Sequence, residues 1–148
     1  MIRDSFDVIN REGRNQIVGN AGLYYVSYEL SKRGWNVLTT SRNAKGVDIV
    51  IYDQQGKETH TIQVKSLRKK NPVPFGTNLN TLIAEYVFIV TDVLDEPSIF
   101  IMESEKVKSL IKERRGKNGK NSYWLEVKDY ENSKDNWEIL KRPEDNNK

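Results

Sequence analysis

From about Ile17 to Arg33 apolar residues recur at helical spacing, with Ile17, Ala21, Tyr24 or Tyr25 and Tyr28 on one side of a predicted helix. Those tyrosines are expected in the core, and Gly34 stands where a helix would stop. The pattern then shifts to runs rich in β-branched and aromatic residues. They predict strands at about Trp35 to Thr40, Val47 to Tyr52, Glu58 to Lys65, Tyr86 to Val93 and Ser98 to Met102. Residues 66–85 form a long connection with Pro72, Pro74, Gly76 and an ambiguous Leu79 to Ala84; loops of that length beside a site often carry function. A second helix is expected from Ser104, where a hydroxyl can cap free amides and Glu105 suits the positive end. Val107, Leu110 and Ile111 repeat at helical spacing, and the helix should end by Gly116. Pro143 to Lys148 reads as a polar, frayed tail after a single domain over residues 1–142.

Composition narrows the class. The chain has 148 residues, 36% of them hydrophobic, enough for one core, and no apolar run approaches the roughly 18 residues of a membrane span. Met1 to Asp7 carries acids where a signal peptide needs an apolar segment. The lack of cysteine removes disulfides and thiolate metal sites and fits a cytoplasmic protein. A lone histidine leaves no His pair for zinc, and His60 shares the face of Ile62, away from the polar residues of its strand. Neither a Gly-x-Ser-x-Gly elbow nor a phosphate-cradling glycine motif is present.

Candidate chemistry lies in Gly46-Val47-Asp48-Ile49-Val50-Ile51 and Ile62-Gln63-Val64-Lys65. Period-two geometry sends Gln63 and Lys65 to one face and Ile62 and Val64 to the other. The turn residues of Tyr52 to Lys57 fold the second strand back antiparallel, towards Asp48. A hard cation such as Mg2+ (or Mn2+) takes oxygen ligands, which the Asp48 carboxylate, the Gln63 side-chain carbonyl and the Val64 backbone carbonyl can supply. Lys65 could then orient a water or stabilise charge building on a phosphate. The same spacing also fits an ordinary hairpin with a wet face, and spacing alone does not choose.

The run Gly19-Asn20-Ala21-Gly22, then Val26 to Gly34-Trp35-Asn36-Val37-Leu38, Asn43-Ala44-Lys45-Gly46-Val47-Asp48 and Ile62-Gln63-Val64-Lys65-Ser66 resembles the PD-(D/E)XK nuclease superfamily. That superfamily includes archaeal Holliday-junction resolvases and restriction endonucleases, and the resemblance covers about residues 15–103. It implies an α/β fold of restriction-endonuclease-like type, a mixed central β-sheet flanked by helices, and metal-dependent hydrolysis of DNA by Asp48, Gln63 and Lys65. Two positions depart from the pattern: Gln63 stands where Glu is usual, and Leu23 occupies the slot of the opening helix's acid. Asn20 lies one turn before Leu23 and Glu29 about two turns after it. These departures keep open a catalytically degraded member that binds nucleic acid or a protein partner, including an accessory or immunity-type module.

Net charge is only +3, but cations cluster. Lys65, Arg68, Lys69 and Lys70 adjoin the motif, Lys45 precedes it, and Lys106 to Lys120 includes Arg114, Arg115 and Lys117. Such residues could hold phosphates, with Gly116 and Gly119 bringing backbone amides close; a solvated mixed-charge face is the other reading of the second cluster. Tyr123-Trp124-Leu125, Tyr130 and Trp137 are expected to pin the final segment to the core rather than to stack on bases. A homodimer is compatible with all of this.

Overall fold

A computed structural model describes residues 5–41 and 45–140. Its first long element is α1 (Arg11–Lys32), opened by Asn10, whose side chain accepts the Gly13 amide at 2.8 Å. Gly34, at φ +91°, ends it, with the Gly34 and Trp35 amides donating back to Ser31 and Leu30. Gly22, Val26 and Leu30, each four apart, form the buried stripe. Tyr24 and Tyr28 sit two positions beyond stripe members, about 200° round the helix, and are 65% and 60% exposed, against the expectation that they enter the core.

A five-stranded sheet follows in the order β1 (Asn36–Thr39), β2 (Ile49–Tyr52), β3 (Thr59–Ser66), β5 (Tyr86–Thr91) and β6 (Ser98–Glu103). Only the β3 and β5 pair is parallel, so the sheet is mixed. Asp53 closes the β2-β3 hairpin: its buried carboxylate accepts the amides of Lys57 at 2.7 Å and Glu58 at 3.0 Å, fixing the register Ile49 to Ile62. Every residue of β5 is buried, because helix α1 covers one side of the sheet and a second layer covers the other. Phe88 and Val90 meet Val26, Leu30 and Ile62, while Val87 and Ile89 meet Phe75, Val107, Leu125 and Tyr130.

That second layer holds α2 (Ser104–Leu110), the short α3 (Val127–Tyr130) and a small sheet in the order β4 (Val73–Pro74), β8 (Asn121–Leu125) and β7 (Lys112–Arg115). The second helix thus ends before Gly116, and a hairpin replaces its expected last turns. Lys112-Glu113-Arg114-Arg115 is exposed throughout and carries no alternation that marks a strand. Tyr130 and Leu125 are fully buried, as expected of anchors, and the Tyr130 hydroxyl donates to the Asn71 carbonyl at 2.7 Å. Among the described residues no helix is long and apolar enough to cross a membrane. Asn43, Ala44 and the polar tail lie outside the described residues.

Candidate active site

Asp48 stands where β2 parts from β3. Continuing the Ile49 to Ile62 register would pair Asp48 with Gln63, but the Asp48 amide instead donates to the Ile62 carbonyl at 2.9 Å. The Val64 amide, left without a backbone acceptor on β2, donates to Asp48 Oδ2 at 2.8 Å. The carboxylate is thereby fixed in the gap between the strands. N–H and C=O of one strand residue leave from the same edge, so the Val64 carbonyl faces that gap too.

Two contacts hold the backbone on either side of Asp48. The Thr40 hydroxyl donates to the Val47 carbonyl at 2.6 Å, and the Thr40 amide donates to the Asp48 carbonyl at 3.0 Å. Gly46, at φ +79°, lies so close to the Thr81 carbonyl and Ile83 that a β-carbon would overlap them. The long connection after β3 is therefore a buttress for the Asp48 segment.

Helix α1 completes a cleft of about 240 Å³, in which Asn20 and Leu23 face Thr40, Ser41, Asp48 and Val64. Leu23 indeed occupies the helix position beside the aspartate. Asn20 shares the cleft and offers an amide, whereas Glu29 does not reach it: Arg33 lies 2.7 Å and Lys32 3.4 Å from its carboxylate. Burial opposes ionisation of Glu29, yet the hydrogen bonds from Arg33 and Lys32 hold it below the usual glutamate range. The helix comes this near because Gly22 packs directly on Ser66.

Gln63 and Lys65 project from the other face of β3, towards the second layer, as period two requires. Gln63 is half-buried. Lys65 Nζ lies 4.9 Å from the centre of the Phe75 ring, and burial pulls its ammonium below the ordinary lysine value while the charge of Asp48 works the other way. Asp48, Val64 and Lys65 are thus coupled by one hydrogen bond and one charge interaction. Among the described residues no group of three or more His, Asp or Glu side chains could hold a metal ion.

His60 is set apart, as its phase requires: its Nδ1 lies 2.8 Å from a Glu85 oxygen, and Trp35 and Tyr86 meet its ring edge-on. Arg68, Lys69 and Lys70 follow β3 on the surface, with Arg68 over the Phe6 ring and 3.9 Å from Asp7, and Lys70 3.4 Å from Glu131. Lys45 is exposed just before Gly46. Arg114 and Arg115 sit on β7, where Arg114 pairs with Glu126 at 2.9 Å, and Lys117 lies in the exposed turn that follows. The Gly116 amide donates to Lys120 and the Gly119 amide to Gly116, so this turn spends on itself the amides expected to meet a phosphate backbone. Thr40, Ser41 and Phe75 escaped the sequence reading, since single hydroxyls after a strand and a ring in a loop carry no spacing signal.

No family model matches the chain, and no curated protein matches it. Solved structures do. The bacterial homing endonuclease I-Ssp6803I is similar over 84% of this chain and 89% of its own, with a TM-score of 0.56 at 16% identity. Hjc, a Holliday junction resolvase of the archaeal hyperthermophile Archaeoglobus fulgidus, is similar over 80% of this chain and 99% of its own, with a TM-score of 0.52 at 17% identity. The mixed sheet and the opening helix agree with these likenesses, and the chain has a restriction-endonuclease-like fold.

Proposed function

We propose that the chain is a divalent-metal-dependent nuclease that hydrolyses DNA phosphodiester bonds with Asp48, Gln63 and Lys65. The observation that carries this reading is the Asp48 carboxylate, pinned by the Val64 amide in the gap where β2 leaves β3, with Lys65 coupled to it. The Asp48 carboxylate and the Val64 carbonyl, which face the gap, and the Gln63 amide oxygen, brought round the end of the sheet from its other face, would make an oxygen donor set of single negative charge. It fits Mg2+ or Mn2+ in the mode where substrate phosphate completes the coordination shell. Such a cation, when bound, would neutralise phosphate charge and acidify a coordinated water. Lys65, kept partly dry against Phe75 and within reach of the Asp48 charge, would bring its ammonium to where negative charge develops on the transferring phosphate. Asn20 and Thr40 offer further polar contacts at the cleft wall. One structural neighbour is named as a homing endonuclease and the other as a Holliday junction resolvase, which favours this chemistry over others that the fold hosts.

A second reading rests on Leu23, whose apolar side chain lines the cleft where a second acid would strengthen cation binding, and on the neutral Gln63. On that reading the protein binds nucleic acid or a protein partner without cleaving. Calorimetric titration of Mg2+ and Mn2+ with DNA present, together with cleavage assays on duplex, single-stranded and branched DNA, separates the two. The nuclease reading expects metal uptake and cleavage in the native protein and neither in Asp48→Asn, whose side-chain oxygen still accepts the Val64 amide and keeps the fold. Native protein that takes up no metal on DNA and cuts none of these substrates overturns the enzyme reading.

A further inference from the structure

Beside the Asp48 cleft, further along the seam between α1 and β3, lies a second cleft of about 390 Å³ whose polar lining includes Arg11, Arg14, Asn15, Ser66 and Arg68. We infer that this cleft holds a phosphate of the DNA strand flanking the scissile bond; the inference deepens the nuclease reading and rests on it. Three arginines line it, two from α1 and one from the segment after β3, and like charges gathered there repel one another unless an anion enters. Among the described residues no carboxylate lies within ion-pair distance of Arg11 or Arg14, and the acid nearest Arg68, Asp7, stands at 3.9 Å. The Phe6 ring supports the Arg68 guanidinium 4.5 Å from its centre, which fixes the fork without using up its donors. Arginine rather than lysine on all three corners suits a planar, bidentate grip on phosphate oxygens.

Spacing ties the two clefts to one strand. Asn15 of the second cleft and Asn20 of the first are separated by about 7.5 Å of helix rise at 1.5 Å per residue. Ser66 and Val64, which line the two clefts from β3, are separated by about 6.6 Å at 3.3 Å per residue. Both are about one step between successive phosphates of a strand, which exceeds the roughly 3.4 Å of axial rise because the backbone winds round the axis. A strand with its scissile phosphate over Asp48 thus presents the adjacent phosphate to the arginines.

The test is fluorescence anisotropy of a fluorescein-labelled DNA duplex without metal, over a range of salt concentrations, for native protein, Arg11→Gln/Arg14→Gln and Arg11→Lys/Arg14→Lys. Glutamine and lysine both sustain helices, and far-UV circular dichroism monitors α1. The Gln variant should bind more weakly and lower the slope of log affinity against log salt by about 1.8, roughly 0.9 for each lost contact. The Lys variant should keep the slope. If the native protein binds DNA and the Gln variant keeps its affinity and slope, or the Lys variant loses as much slope as the Gln variant, the cleft assignment falls and the nuclease reading stands. Native protein that binds neither this duplex nor single-stranded or branched DNA, with or without Mg2+, overturns both.

Discussion

At Asp48 a single side chain replaces a rung of backbone hydrogen bonding, and its charge acts on Lys65 across the gap. The sign of that coupling gives a test. Burial lowers the Lys65 pKa and Asp48 raises it, so Asp48→Asn should leave only the lowering cause and drop the value further. NMR titration of the Lys65 Nζ should place it below the ordinary lysine value in native protein and lower still in Asp48→Asn; an unchanged value would mean the two charges do not interact. Lys65→Ala should slow cleavage on the order of a hundredfold, with a smaller loss of DNA affinity, as expected for one transition-state contact; equal losses would make it a phosphate anchor only. The shared face of Gln63 and Lys65 was legible because period two sorts a strand's side chains without knowledge of the fold, and the place of Leu23 because it can be counted back from Gly34. Arg11 and Arg14 were not, because the apolar repeat starts at Ile17 while a polar cap, Asn10, starts the helix.

Helix α1 is held against β3 by a pair of small residues. A β-carbon at Gly22 would overlap Ser66 Oγ, while the Ser66 α-carbon lies a comfortable 3.6 Å away. Gly22→Ala should therefore cost about 1–3 kcal/mol in denaturant unfolding, the usual penalty of overpacking, and widen the seam that carries both clefts. Gly22→Ala with Ser66→Gly should recover part of that loss; a double variant no more stable than the single one would show that the helix is placed by other contacts. The central strands were legible from their β-branched runs, as was the α1 stop at Gly34. The β7-β8 hairpin was not, since Lys112 to Arg115 is held by its partner strand rather than by any apolar face of its own. Tyr24 and Tyr28 misled for the converse reason: helical spacing identifies a stripe but not which stripe faces the sheet, and Gly22 decides that by allowing the closest approach.

Across the whole molecule the two layers on either side of the sheet each bury a tyrosine, Tyr86 and Tyr130. Burial first, then nearby acids, pushes each hydroxyl up to about 12 from an ordinary 10. The folded state thus keeps protons that the unfolded chain releases, and the stability this contributes is present below pH 10 and lost as pH rises through 12. Thermal melts should show the midpoint falling over that window, and Tyr130→Phe should fall less steeply; identical alkaline slopes would remove Tyr130 from the account. The strand between these layers, Tyr86-Val87-Phe88-Ile89-Val90-Thr91, is apolar on both sides because both sides are covered. Before those covers assemble, the same six residues are an uncharged, proline-free segment of high strand propensity, the kind that pairs with copies of itself. Its first cover, α1, precedes it in the chain, but α2 and the small sheet's β7 and β8 follow it. During synthesis one side of this strand therefore waits for its covering, and the acids at its ends, Glu85 and Asp92, are the charges that keep neighbouring chains apart until then.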